Sequence, residues 1–167
     1  MVQQSSSTEP KAGSDHALRA HVLILEARFY GKISDLLAEG AIAELTARGV
    51  SFERIAVPGA LEIPQVLAAA AAARASGRTT FDGVVALGCV IRGETAHYDI
   101  VCNNANHWLM DVAVRHDVPI GNAILTVENV VQAMARAEGG RSSKGAEAAR
   151  ACLRLIEIKR GFWGASP

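Results

Sequence analysis

The sequence predicts an α/β fold, a three-layer α/β/α sandwich around a four-stranded parallel sheet. Two observations predict it. Short apolar runs alternate along the chain with helix-length segments of ten or more residues, the pattern of right-handed βαβ units. The first of these runs, HVLILEA at 21–27, is a short continuous apolar stretch, the pattern of a strand covered on both faces. With 167 residues the chain is long enough for one domain and short for two. At this size folding buries roughly 70 % of the unfolded surface, so a core forms without disulfides or metal.

Residues 1–17 are polar and Ser-rich, with Pro10 and Gly13, and read as a disordered tail ahead of a single domain over 18–163. After the first strand at 21–27, Ser34–Arg48 carries Leu36, Leu37, Ala41, Ile42 and Leu45 at helical spacing, and Gly49 stops it. VSFERIAV (50–57) is the second strand, ended by Pro58-Gly59. Ile63–Ser76 is an Ala-rich helix with Pro64 in its first turn and Gly77 behind it. FDGVVALGCV (81–90) is the third strand, and Thr95–His116 a long helix that Pro119 keeps from extending. IGNAILTV (120–127) is the fourth strand. Asn129–Ala137 and Gly145–Lys159 are the last two helices, separated by EGGRSSKG.

Composition excludes several classes. Seventeen basic residues cancel seventeen acidic ones, which argues against a duplex-DNA binder. Cys89, Cys102 and Cys152 are odd in number and widely spaced, fitting neither a disulfide framework nor a CxxC metal pair; they read as small buried hydrophobes in a reducing compartment. The N-terminus lacks the apolar stretch of a signal peptide. Runs such as Val66–Ala73 or Val84–Leu87 are too short to span a bilayer. A soluble, cytoplasmic protein is expected, without nucleic-acid or membrane partners.

In open parallel sheets ligands sit beyond the C-terminal ends of the strands. Four junctions are therefore the candidate site: 28–33, 58–62, 91–97 and 126–129. The third is the most informative. GCVIRGET (88–95) matches the P-loop template except at Glu94, where a nucleotide loop has its lysine. A carboxylate there would repel the β- and γ-phosphates, which sets aside an ATPase or GTPase. Backbone N–H groups at a helix start still suit a single phosphate, although Glu94 also reads as an ordinary first-turn acid.

His97 follows in the same first turn, with a side chain suited to moving protons near neutral pH or to a structural role. His16, His21, His107 and His116 read as structural. Glu62, between Pro58 and Pro64, suits ligand hydroxyls or simply the start of a helix. Phe29 and Tyr30 could stack on a planar ring or pack in the core. Arg136, Arg141 and Lys144 form a basic group that would complete a phosphate site or remain a solvated loop. No carboxylate pair, Ser–His–Asp set or metal-ligand cluster stands out.

Taken together, ARFY (27–30), VPGALEIP (57–64), ALGCVIRGETAHYD (86–99), ILTVEN (124–129) and QAMARA with SSKGAEAA (within 132–149) resemble the 6,7-dimethyl-8-ribityllumazine synthase family. They run in the family's order and spacing over about residues 20–160. The resemblance implies a flavodoxin-like sandwich and a cofactor-free, metal-free transferase. Its substrates would be 5-amino-6-(D-ribitylamino)uracil and 3,4-dihydroxy-2-butanone 4-phosphate. It implies that Phe29 stacks on the pyrimidine, that backbone at Val90 and Ile91 bonds the ring edge, and that Ala60, Leu61 and Glu62 hold the ribityl chain. Gly93, Glu94 and Thr95 would face the phosphate, joined by Arg136 and Lys144, and His97 would shuttle protons. Asn122 stands where many members place an aromatic from the adjacent subunit. Tyr30 replaces a frequent Asn, Leu61 a frequent Phe, and Ser143 the Asn of an NKG motif.

The family forms homopentamers with sites between subunits, some building decamers or sixty-subunit shells, and the loop 138–143 is where that choice would be expressed. Riboflavin synthase is the further partner the resemblance implies. Two rival readings remain at this stage: a flavin- or lumazine-binding paralogue without turnover, and a scaffold whose assembly is its function.

Overall fold

The computed structural model describes residues 17–164. The tail expected over 1–17 lies, apart from Ala17, outside the described residues, as does His16. Among the described residues the order is β1 (His21–Ala27), α1 (Gly31–Ala47), β2 (Ser51–Val57), α2 (Ile63–Ala75), β3 (Gly83–Ile91), α3 (His97–Arg115), β4 (Ile120–Val127), α4 (Val130–Ala137) and α5 (Lys144–Phe162). Short 3-10 turns at Ala60–Glu62 and Gly140–Ser142 precede α2 and α5.

The four strands pair in parallel in the order β2-β1-β3-β4. The predicted sandwich is present, with helices on both faces of one sheet. Strand periodicity of two sorts the core. Val22 and Ile24 point toward a cluster with Leu37 and Leu45 of α1 and Leu153 of α5. Leu23 and Leu25 point the other way, onto Leu67 of α2 and Leu109 of α3. These side chains are almost fully buried, and each contributes about 1.5–3 kcal/mol on removal from water. The edge strand β2 is the exception to two-sided cover, with Ser51, Glu53, Arg54 and Ala56 exposed.

α5 lies unusually close to its neighbours because glycines let it. A Cβ on Gly121 of β4 would meet the Ala148 carbonyl oxygen at 1.8 Å, and one on Gly145 would meet the Leu37 carbonyl oxygen at 2.0 Å. Two buried carboxylates are also part of this frame. Glu44 accepts from Arg141 at 3.0 Å and Arg150 at 2.9 Å, tying α1 to the turn before α5 and to α5 itself. Glu26 on β1 accepts twice from Arg54 of β2, at 2.5 and 2.9 Å.

Helix starts differ from expectation for a physical reason. α1 begins at Gly31, three residues before the start expected at Ser34. The Ser34 amide already donates to the Tyr30 carbonyl at 2.9 Å, and its side chain faces the core. Burial, not capping, sets its place.

Candidate active site

The strand exits on the C-terminal edge of the sheet surround a cavity of about 310 Å³. Three of the four candidate junctions line it. From the β1 exit come Phe29 and Tyr30, in an edge-on pair with centroids 5.0 Å apart. Phe29 is 73 % exposed, so its ring is not a core ring. Pro64 in the first turn of α2 follows the 3-10 turn that presents Ala60, Leu61 and Glu62 to the cavity. A Cβ on Gly59 would lie 3.1 Å from Glu62 Oε2, so the carboxylate folds back over the Pro58-Gly59 corner.

The β3 exit supplies Val90, Ile91, Gly93, Thr95 and His97. α3 starts at His97 with no side-chain cap, and its first turn is closed by the Ala96 carbonyl accepting from Asp99 at 3.1 Å and Ile100 at 3.3 Å. The Thr95 hydroxyl oxygen accepts from the His97 amide at 3.4 Å, a long bond. His97 is exposed to the cavity, at the positive end of the helix.

The remaining predicted residues lie elsewhere on the chain. Glu94 is exposed on the loop without lining the cavity. Asn122 on β4 receives its own Ile124 amide at 2.9 Å and donates to Asn106 of α3 at 2.7 Å. Arg136 is exposed at the end of α4, donating to the Gln132 carbonyl of its own helix at 3.0 Å. Lys144 pairs with Glu147 at 2.5 Å. The fourth junction reaches the site only indirectly. Its Glu128 accepts from Arg92, and Asn129 caps α4 by accepting from the Gln132 amide at 3.0 Å.

Several lining residues were not singled out by the sequence reading: Gly59, Cys89, Tyr98 and Val101. Val101 follows His97 by four residues, so the helical period that carries one to the cavity carries the other. Cys89 is buried, and burial pushes its thiol up to about 11, so it is a neutral wall. Burial, then the Cys102 side chain, raises the Tyr98 phenol above its ordinary value. Among the described residues lining the cavity, Glu62 is the sole carboxylate and there is no Lys or Arg.

The site therefore offers an exposed aromatic, a carboxylate beside a helix start, strand-end backbone, a helix N-terminus with a hydroxyl, and an imidazole. That set can stack a planar ring, bind polyol hydroxyls, receive a small anion and move protons. Among the described residues no group of three or more His, Cys, Asp or Glu side chains is arranged to hold a metal ion. Among them also, no helix is long and apolar enough to cross a membrane.

A family model described as 6,7-dimethyl-8-ribityllumazine synthase matches residues 19–160. Curated relatives carry the same description. The protein from Nitrobacter hamburgensis is 51 % identical over 141 residues, 84 % of this chain and 86 % of the relative. That from Agrobacterium fabrum is 51 % identical over 146 residues, covering 87 % and 99 %. The Bartonella bacilliformis protein is 52 % identical over 145 residues, covering 87 % and 93 %.

Proposed function

The chain belongs to the 6,7-dimethyl-8-ribityllumazine synthase family, and we propose that it runs the family's reaction with the residues gathered at the C-terminal edge of its sheet. It is a transferase of riboflavin biosynthesis acting on small molecules. It condenses 5-amino-6-(D-ribitylamino)uracil with 3,4-dihydroxy-2-butanone 4-phosphate, releasing phosphate and water. The observation that supports this assignment of residues best is the cavity itself, where Phe29, Glu62, Thr95 and His97 converge from three separate strand exits.

In the proposed mechanism Phe29 stacks on the pyrimidine while Val90 and Ile91 present backbone to its edge. Glu62 accepts from the ribityl hydroxyls, with Ala60 and Leu61 shaping the wall. The phosphate sits at Gly93, Glu94 and Thr95, held by backbone and hydroxyl donors. The amine attacks the ketone and water is lost to give the imine. Phosphate then leaves by elimination, and a second carbonyl condensation closes the ring. His97 takes and returns protons through these steps, and holding two substrates together supplies much of the rate.

A phosphate dianion is best held by a full positive charge, and the subunit's own cavity lining has no Lys or Arg. Arg136 and Lys144 lie away from it and are proposed to serve a neighbouring subunit's site, as is Asn122. That favours sites shared between subunits, and the homopentamer that the family resemblance implies is the assembly proposed. The single-domain reading of 18–163, a cytoplasmic location and riboflavin synthase as the partner consuming the product belong to the same proposal.

The test is to mix the purified protein with both substrates and follow lumazine absorbance against a protein-free control. Enzyme-dependent product is expected, with kcat lowered about 10²–10⁴-fold in His97→Ala. An unchanged kcat in that variant would remove His97 from the mechanism. A rate no faster than the spontaneous reaction, from folded protein, would reject the synthase chemistry.

A further inference from the structure

The first turn of α3 carries His97, yet among the described residues nothing near it is a strong cap. Ala96 has no side chain to offer, and the Thr95 contact is long. What holds this turn lies five residues before His97. Arg92 continues the sheet by donating its amide to the Val127 carbonyl at 2.9 Å. Its guanidinium then divides three ways. Nε donates to Glu128 at 2.9 and 3.2 Å, Nη1 donates to Asp99 at 3.3 and 3.4 Å, and the planar face covers the Tyr98 ring with Cζ 4.1 Å from the centroid.

Tyr98 lines the cavity beside His97, and Asp99 is the next residue of the same turn. Glu128 leads into α4, the helix whose last turn carries Arg136. One side chain thus joins the imidazole-bearing turn to the strand exit that starts α4. We propose that Arg92 is a positioning residue: it braces the first turn of α3, and so His97, against the β4–α4 junction without itself touching substrate.

Two features favour a brace over a phosphate ligand. Both edges used by the guanidinium face carboxylates, which neutralise its charge before it can reach an anion. Arg92 also does not line the cavity, although residues on both sides of it in the chain do. Each contact alone is a half-exposed surface pair that adds little to stability. The combined geometry needs a flat fork with a stacking face, which arginine has and lysine lacks. Loss of the brace should therefore show in catalysis and local order while the fold persists.

The inference rests on the synthase reading, so one arm of the test is independent of turnover. In the intact oligomer, Arg92→Ala should lower kcat about 10- to 100-fold, the scale of a small misplacement of a reacting group. Both KM values should change less than about threefold, a ground-state binding change far smaller than the kcat loss. Arg92→Lys should recover part of the rate, and adding Asp99→Asn to Arg92→Ala should cost little more. Hydrogen exchange across residues 93–100 should quicken in Arg92→Ala and in Glu128→Gln, with the thermal midpoint nearly unchanged. Unchanged exchange would overturn the brace, and so would a raised KM for the butanone phosphate at constant kcat, which marks direct phosphate contact. If Arg92→Ala fails to fold, Arg92→Lys and Glu128→Gln carry the same exchange test. A wild-type protein without turnover would sink the synthase reading alone, leaving exchange to decide the brace.

Discussion

Phe29 is 73 % exposed at a strand exit and lines the candidate cavity, so its ring is open to a ligand. Its ring meets that of Tyr30 in an edge-on pair at the cavity. Phe29→Ala is expected to raise the KM for the pyrimidine substrate about tenfold, the loss of roughly one stacking contact, with kcat little changed. Steady-state kinetics with the pyrimidine varied checks it, and an unaltered KM would return Phe29 to a packing role. Its function was legible as one of two alternatives, because an aromatic beside a strand end serves a core or a ligand equally well. Exposure decided that the core is not its place. Tyr98 was missed because a tyrosine next to a histidine carries no periodic signal of its own.

Elements were read more securely than their ends. β1 and β4 were expected at 21–27 and 120–127 and stand there, since a continuous apolar run bounded by polar or turn residues leaves little latitude. The 3-10 turns at Ala60–Glu62 and Gly140–Ser142 were not foreseen, being set by how the chain approaches the next helix. α5 extends to Phe162, past the expected end at Lys159. Close packing of α5 on β4 gives an element-scale prediction. Gly121→Ala forces a methyl against the Ala148 carbonyl, where 1.8 Å is available. Overpacking of this kind costs about 1–3 kcal/mol or more. A clear fall in the thermal midpoint is expected by calorimetry, and an unchanged midpoint would mean that α5 can shift outward freely.

At the scale of the whole molecule Arg136 and Lys144 lie off the cavity, and the proposal is that they serve the site of a neighbouring chain. Subunit mixing tests this directly. Arg136→Ala should raise the KM for the butanone phosphate more than for the pyrimidine. When Arg136→Ala and Phe29→Ala chains are unfolded and reassembled together, some sites should combine an intact Phe29 from one chain with an intact Arg136 from another. Activity above that of either variant at limiting substrate is expected. No recovery in mixed oligomers would place both residues at the same subunit's site. The outward apolar residues Val114, Phe162 and Trp163 are consistent with association.

The sequence by itself determined the layer architecture, the parallel sheet and three of the four places where the chain leaves it toward the cavity. It could do so because strand and helix periods, glycine and proline stops, and motif spacing are local properties. It also carried the family, through VPGALEIP and GCVIRGETAH. Only the tertiary structure decided which residues share the cavity and which do not. Asn122 and Arg136 are far from His97 along the chain, and distance in sequence says nothing of distance across a sheet. The fan of contacts around Arg92 was equally hidden, since Glu128 becomes its neighbour only after β3 and β4 pair, and Asp99 and the Tyr98 ring only once the chain turns from β3 into α3.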